Sequence, residues 1–383
     1  MRDAMTERLD WDPFDGDDDP VVRSDMLRRR CPVARSEALG SSLFRHRDVM
    51  RALTDHETFS NVVSARRSVP NGMDPPEHTG YRRIIEPYFS PERMRALEPH
   101  CRAVVRELLG TARGEIEVMS QLAEEFALRL QCGFLGWPVE LHAPLRDWIR
   151  ENHEAIRSRD RAAITAVADR FDAHIRAVLA ARRESPGSGS DDVASQLLNE
   201  QVRGRRLTDE EIVSIMRNWT VGELGTIAAS IGILVCYLAT RPELQSELPR
   251  HSSTIPAAID EILRIEAPLL SSRRMTSAAV DLSGVTIAAG ERVALMWASA
   301  NRDEAVFGDP DEFRLDRDPG SNLLYGAGIH VCPGAPLARM ELECFLEEFL
   351  SAMGAFEMVP GKTPERAMYP VGGFSSIWVR RST

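Results

Sequence analysis

From Thr208 to Thr240 the chain opens on a charged turn, Asp209-Glu210-Glu211, runs into a long and mostly apolar stretch, and halts before Arg241-Pro242. Thr208 and Glu211 are spaced as a capping box, in which each side chain satisfies the other's free backbone N–H. The proline then closes the segment, because the residue before it is driven out of helical conformation. At 1.5 Å per residue a helix over this stretch reaches roughly 45 Å, enough to cross a whole domain. Only a central, buried element needs that reach. Its most apolar part, Ile227 to Ala239, is interrupted by Ser230, Gly232 and Tyr237 and is shorter than the roughly 20 residues of a membrane span, so a core helix is expected.

The segment from Pro91 to Arg183 reads as almost wholly helical, with helices expected from Pro91, over 120–135, over 143–156 and over 161–183. Ser185 to Asp192, rich in glycine, serine and proline, is expected to be a loop. Short β-compatible pieces lie elsewhere. Ser42-Leu43-Phe44 and Phe59-Ser60 flank a helical 48–54, and Val285-Thr286-Ile287 and Arg292 to Trp297 read as two strands joined through Ala289-Gly290-Glu291. The pattern predicts a mainly α fold with a small β-rich lobe. No linker forces a split, so residues 1–383 are expected to form a single domain, with 1–25 loosely ordered.

Composition narrows the function. The formal charge of −11, with 27% charged and 43% hydrophobic residues, describes an acidic soluble protein and argues against nucleic acid as a partner. The six cysteines form no CxxC pair, which suits a reducing compartment, and Met1 to Pro20 lacks the basic-then-apolar order of a signal peptide. A cytoplasmic protein with no membrane attachment is expected. Asp15-Gly16-Asp17-Asp18-Asp19 has its glycine misplaced for a calcium loop, and Asn218-Trp219-Thr220 lies in a helical context unsuited to glycosylation.

The chemistry concentrates in Tyr325-Gly326-Ala327-Gly328-Ile329-His330-Val331-Cys332-Pro333-Gly334-Ala335-Pro336-Leu337-Ala338-Arg339. Glycines permit positive φ and close backbone approach, and Pro336 suits the first turn of a helix. A thiol just ahead of a helix N-terminus sits in a field that favours thiolate, the form that ligates metals. The other cysteines, Cys31, Cys101, Cys132, Cys236 and Cys344, read as ordinary buried residues. The stretch resembles the haem-ligand loop of the cytochrome P450 family, aromatic-Gly-x-Gly-x-His-x-Cys-x-Gly, with Tyr325 where phenylalanine is usual.

The resemblance extends in order along the chain. Asp74-Pro75-Pro76-Glu77-His78-Thr79-Gly80-Tyr81-Arg82 is similar to the motif whose histidine and arginine bind haem propionates, and His78 and Arg82 fall on one helical face. Gly222-Glu223-Leu224-Gly225-Thr226 aligns with the oxygen-binding kink of the family's central helix. Gly225 stands where most relatives have an acid, and Glu223, three residues before Thr226, offers a substitute. Glu261-Ile262-Leu263-Arg264 resembles the family's Glu-x-x-Arg, with Arg317 as third member of its network. Arg274 matches another propionate-binding arginine, with Arg273 one place away as its rival, and Tyr369 to Ser376 resembles a hairpin overhanging the distal pocket.

What the resemblance implies is a cytochrome P450 fold, with haem b between the long helix and the cysteine loop. Cys332 would be the axial metal ligand, and His78, Arg82, Arg274 and His330 propionate contacts. Thr226 and Glu223 would be the catalytic proton-delivery residues. The implied activity is a haem-thiolate monooxygenase that hydroxylates or oxidatively dealkylates a small organic substrate, using O2 and electrons from ferredoxin and ferredoxin reductase. A peroxide-driven peroxygenase and a non-catalytic haem sensor are the alternatives. Arg66 and Arg67, beside the expected pocket roof, are candidates to meet an acidic substrate group.

Overall fold

The long helix forms as its pattern demands, over Asp209–Ala239, with Thr208 as its N-cap. The Glu211 amide donates to Thr208 Oγ1 at 3.3 Å, and the Thr208 amide donates to Glu211 Oε2 at 2.9 Å. Behind this cap the helix is buried nearly all round, packed by helices Glu124–Leu135, Arg161–Glu184, Ile255–Glu266 and Ala335–Met353. It is long and apolar enough to cross a membrane, yet 72% of its most apolar window is buried inside the protein. Burial against neighbouring helices supplies the environment that its side chains require.

This arrangement comes from a computed structural model that describes residues 10–13, 20–158, 160–184 and 192–382. The acidic run at 15–19 and most of the loop expected over 185–192 lie outside the described residues. The loose segment expected up to residue 25 stops short of it. Residues Pro20–Arg30 are helical, because Arg28 is buried and anchored by Asp25, Glu304 and the Ser299 carbonyl.

The β-rich lobe centres on a five-stranded sheet ordered Val33–Ser36, Gly40–Leu43, Arg292–Leu295, Ser272–Thr276 and Phe59–Ser60. One expectation fails here. Val285–Ile287 and Arg292–Leu295 do not pair with each other: the former pairs with Val280–Leu282 and the latter lies between Gly40–Leu43 and Ser272–Thr276. Ser283 and Gly284 both adopt positive φ, +50° and +83°, which makes the tight two-residue turn that strand twist favours. The hairpin therefore forms one element earlier, and Arg292–Leu295 is released to the sheet.

Near the C-terminus, Glu365–Arg366 pairs with Phe374–Ser376, and the connecting turn presses on the core. A Cβ on Gly372 would stand 1.9 Å from the Ala267 carbonyl oxygen, so only glycine allows that approach.

The cap of the long helix carries a pH-dependent share of stability. Burial pushes the Glu211 carboxyl up, but hydrogen bonds from Arg205, Tyr81 and the Thr208 amide outweigh it and hold the pKa at about 2 against an ordinary 4.5. A carboxyl with a depressed folded-state value stabilises above its unfolded value and loses that contribution as pH falls through the folded one. Glu211→Gln is therefore expected to cost about 1 kcal/mol near neutral pH. In chemical denaturation the deficit should shrink as pH falls from about 4.5 towards 2.

Candidate active site

The cysteine loop owes its shape to two glycines with left-handed backbone, Gly326 at φ +74° and Gly328 at φ +69°. A Cβ on Gly328 would fall 2.5 Å from the Leu53 carbonyl oxygen, so the loop closes on its neighbour only with glycine. The Cys332 amide donates to the Tyr325 carbonyl at 2.8 Å and shuts the turn. Gly334 keeps an ordinary φ of −81°; what it contributes is the absence of a side chain, since a Cβ there would sit 3.8 Å from Cys332 Sγ. Helix Ala335–Met353 follows, with Pro336 in its first turn as expected.

Cys332 is exposed, but its exposure is to an internal cavity of about 920 Å³ that it helps to line. Being surrounded by protein pushes the thiol pKa up, and hydrogen bonds from the Gly334 and Ala335 amides pull against that. The field of the helix terminus thus works as expected in direction, while burial outweighs it.

The opposite wall is the long helix, from which Gly222, Glu223 and Thr226 line the same cavity. The helix runs unbroken through the stretch where a kink is expected. Thr226 Oγ1 donates to the Gly222 carbonyl at 2.6 Å, so the hydroxyl is held by the turn behind it. Among the described residues, nothing beyond the adjoining turns of its own helix lies within 4 Å of where a Cβ on Gly225 would be.

At one end of the cavity cationic groups converge. His78 and Arg82, both buried, project from helix Glu77–Ile85, and the His78 ring lies 4.3 Å from that of His330. Strand alternation separates the two arginines, which both line the cavity: Arg274 is buried and Arg273 exposed. Nε2 of both histidines is buried and has no hydrogen-bond partner among the described residues. Burial, then the neighbouring His78, Arg274 and Arg82, pushes His330 down to about 3, and burial lowers Arg274 to about 10. Both directions record positive charge in a buried place with too little negative charge to balance it. A flat group with two carboxylates, ligated through its metal by the thiol, fits these features. The orphaned imidazole nitrogens and Arg274, which only Asp74 opposes, would be free to meet such carboxylates, and the glycines leave the face clear.

Comparison with known proteins decides the family. A family model for Cytochrome P450 matches residues 253–376. The chain is 32% identical to the erythromycin C-12 hydroxylase of Saccharopolyspora erythraea, over 86% of this chain and 85% of that protein. It is 30% identical to the cyclomarin C epoxidase CymV of Salinispora arenicola, over 83% and 84%. The chain belongs to the cytochrome P450 family. Its structure is similar to that of CYP109E1 from Bacillus megaterium in complex with testosterone, at TM-score 0.83 and 27% identity, covering 97% of this chain and 100% of that one.

As a cytochrome P450 monooxygenase the protein binds haem b and uses a small-molecule substrate, O2 and redox partners. Behind the cysteine loop this P450 keeps the expected ion-pair network. Arg264 meets Glu261 through two bonds of 2.7 and 2.9 Å, and Arg317 Nε donates to Glu261 Oε1 at 2.8 Å. Arg264 also donates to the carbonyls of Asn301 and Pro310, which locks the approach to the loop.

Arg66 and Arg67 line the cavity but are already engaged. Arg66 pairs with Asp169 and Asp172, and Arg67 with Glu77 and Glu211. Neither is a spare cation for an acidic substrate; they tie the pocket roof to its neighbouring helices.

Glu341 went unnoticed in the sequence. It stands on helix Ala335–Met353 with 0% exposure, and neither of its carboxyl oxygens has a hydrogen-bond donor among the described residues. Its partner is Glu223, whose Oε1 is likewise buried without a donor. Burial pushes both carboxyls up. The available signal was a glutamate between the apolar positions Leu337 and Phe345, yet nothing local to either residue names the other.

Proposed function

We propose that this P450 is a cytoplasmic haem-thiolate monooxygenase that hydroxylates or oxidatively dealkylates a bulky, largely apolar small molecule, with electrons from ferredoxin and ferredoxin reductase. The observation that carries the reading is one cavity with Cys332 on one wall, Thr226 on the facing wall and unbalanced cations at its end. When bound, the haem supplies reductive activation of O2, with the sulfur donating electron density. Cys332 would provide the thiolate that holds the haem iron, and His78, Arg82, Arg274 and His330 would hold the propionates.

Thr226 presents its hydroxyl to the cavity from a fixed rotamer, and Glu223 supplies the proton that Gly225 cannot. The relatives and neighbours include an epoxidase for cyclomarin C, a C-12 hydroxylase for erythromycin and a structure in complex with testosterone. Those support a multi-ring or macrocyclic substrate, and Phe134, Trp219, Ile227 and Leu269 on the cavity wall suit one.

The proton role is tested by product formed per NADH consumed. A positioned proton donor contributes on the order of 100-fold or more, so Thr226→Ala and Glu223→Gln are each expected to lower product formation about that far. NADH oxidation should continue and hydrogen peroxide appear. The open space beside Gly225 permits a rescue: adding Gly225→Asp to Glu223→Gln should restore coupling. Unchanged coupling in Glu223→Gln sinks the proton role. The missing acid at Gly225 also favours a second reading, a peroxide-driven enzyme, which would turn over faster with hydrogen peroxide than with the ferredoxin system.

A further inference from the structure

We propose that Glu341 and Glu223 share a single proton across the contact between the cysteine-side helix and the long helix, and that Glu341 is a positioning residue that recharges Glu223. The second half of this rests on Glu223 being the proton donor to the cavity; the first half does not.

The two helices, Ala335–Met353 and Asp209–Ala239, pack directly against each other, and the side chain of Glu341 on the first lies at hydrogen-bonding range of Glu223 on the second. Glu341 is fully buried and Glu223 is 8% exposed. Three of their four carboxyl oxygens are buried and find no donor among the described residues. Two ionised carboxylates carry no hydrogen to offer each other and repel in a low-dielectric setting. Contact between them is a hydrogen bond only when a proton lies between, as in other carboxyl dyads.

Among the described residues the surroundings offer no cation as an alternative. The groups acting on the pair are each other and Cys344. Tyr325 and Cys332 feel Glu223, and Cys101 feels Glu341; none of these brings positive charge. Helix Ile255–Glu266, which packs on both helices, carries Asp260, bonded to Arg339, and Glu261, bonded to Arg264 and Arg317. Those cations are spent on their own partners.

Because Glu223 also lines the cavity, the dyad has one wet side and one dry side. The single proton passes from Glu341 to Glu223 and from there to water in the cavity, and the pair, then fully ionised, takes one proton back from solvent through the same cavity. No other bond is made or broken.

The test is infrared difference spectroscopy on the haem-loaded protein, comparing wild type with Glu223→Gln, Glu341→Gln and the double variant in H2O and D2O. A shared proton predicts one carboxylic-acid C=O band that shifts on deuteration. That same band should be lost in either single variant, because the introduced amide donates to the remaining carboxylate, and nothing further should be lost in the double variant. Absence of the band, or two distinct bands lost separately, overturns the shared proton. If Glu341→Gln does not fold, Glu223→Gln decides alone: loss of the band supports the dyad, and its persistence refutes it.

Product per NADH then separates the two layers. Equal losses in both single variants, with no further loss in the double, support recharging by Glu341. A loss in Glu223→Gln with none in Glu341→Gln overturns the role of Glu341, and no loss in Glu223→Gln overturns the proton role of Glu223 itself.

Discussion

Cys332→Ala is expected to purify without haem and to show no measurable turnover, while its far-ultraviolet circular dichroism stays that of the wild type. The reason for expecting intact folding lies in what holds the loop. Gly326 and Gly328 set its backbone and the Cys332 amide closes it on the Tyr325 carbonyl, and none of these uses the thiol. The side chain faces the cavity, so its removal opens no gap in a packed core. Haem content by extraction and product formation check the outcome. A variant that unfolds instead would mark Cys332 as a structural residue.

Arg264→Ala is the second large effect, and it is one of stability. Arg264 is among the largest fully buried side chains in the protein, and it supplies two of the hydrogen bonds that satisfy the buried Glu261. Removing one partner of a buried ion pair costs about 3–5 kcal/mol. A domain is typically stable by only about 5–15 kcal/mol in total, so poor expression or a sharply lowered denaturant midpoint is expected. Arg317→Ala should cost less, because the two-bond contact between Arg264 and Glu261 survives it. Equal effects of the two variants would mean that the network does not have Arg264 at its centre.

The parts of this fold and site that the sequence disclosed are those whose geometry is local. The capping box at Thr208 and Glu211, the His78 and Arg82 helix face, Glu261 with Arg264, and the glycines around Cys332 each sit within a few residues of one another. Regular backbone carries such spacing directly into space. Strand alternation would also have chosen Arg274 over Arg273, once a strand over 272–276 was assumed.

What stayed hidden depends on contacts between distant segments. The pairing of Arg292–Leu295 was misjudged because the turn chemistry at Ser283 and Gly284 captured its neighbour first. Arg28 docks the leading helix on Ser299 and Glu304, partners far along the chain. Arg66 and Arg67 looked available because Asp169, Asp172 and Glu211 lie on other elements. The Glu223 and Glu341 contact is of the same kind: two acids, each unremarkable on its own helix, acquire their chemistry only where those helices meet.

The central claim is that Cys332 ligates haem iron as a thiolate, and the carbon monoxide difference spectrum of the dithionite-reduced protein tests it most directly. Thiolate ligation predicts a strongly red-shifted Soret band of full intensity relative to total haem. A band at the position typical of imidazole-ligated haem in freshly purified, substrate-bound protein would contradict it.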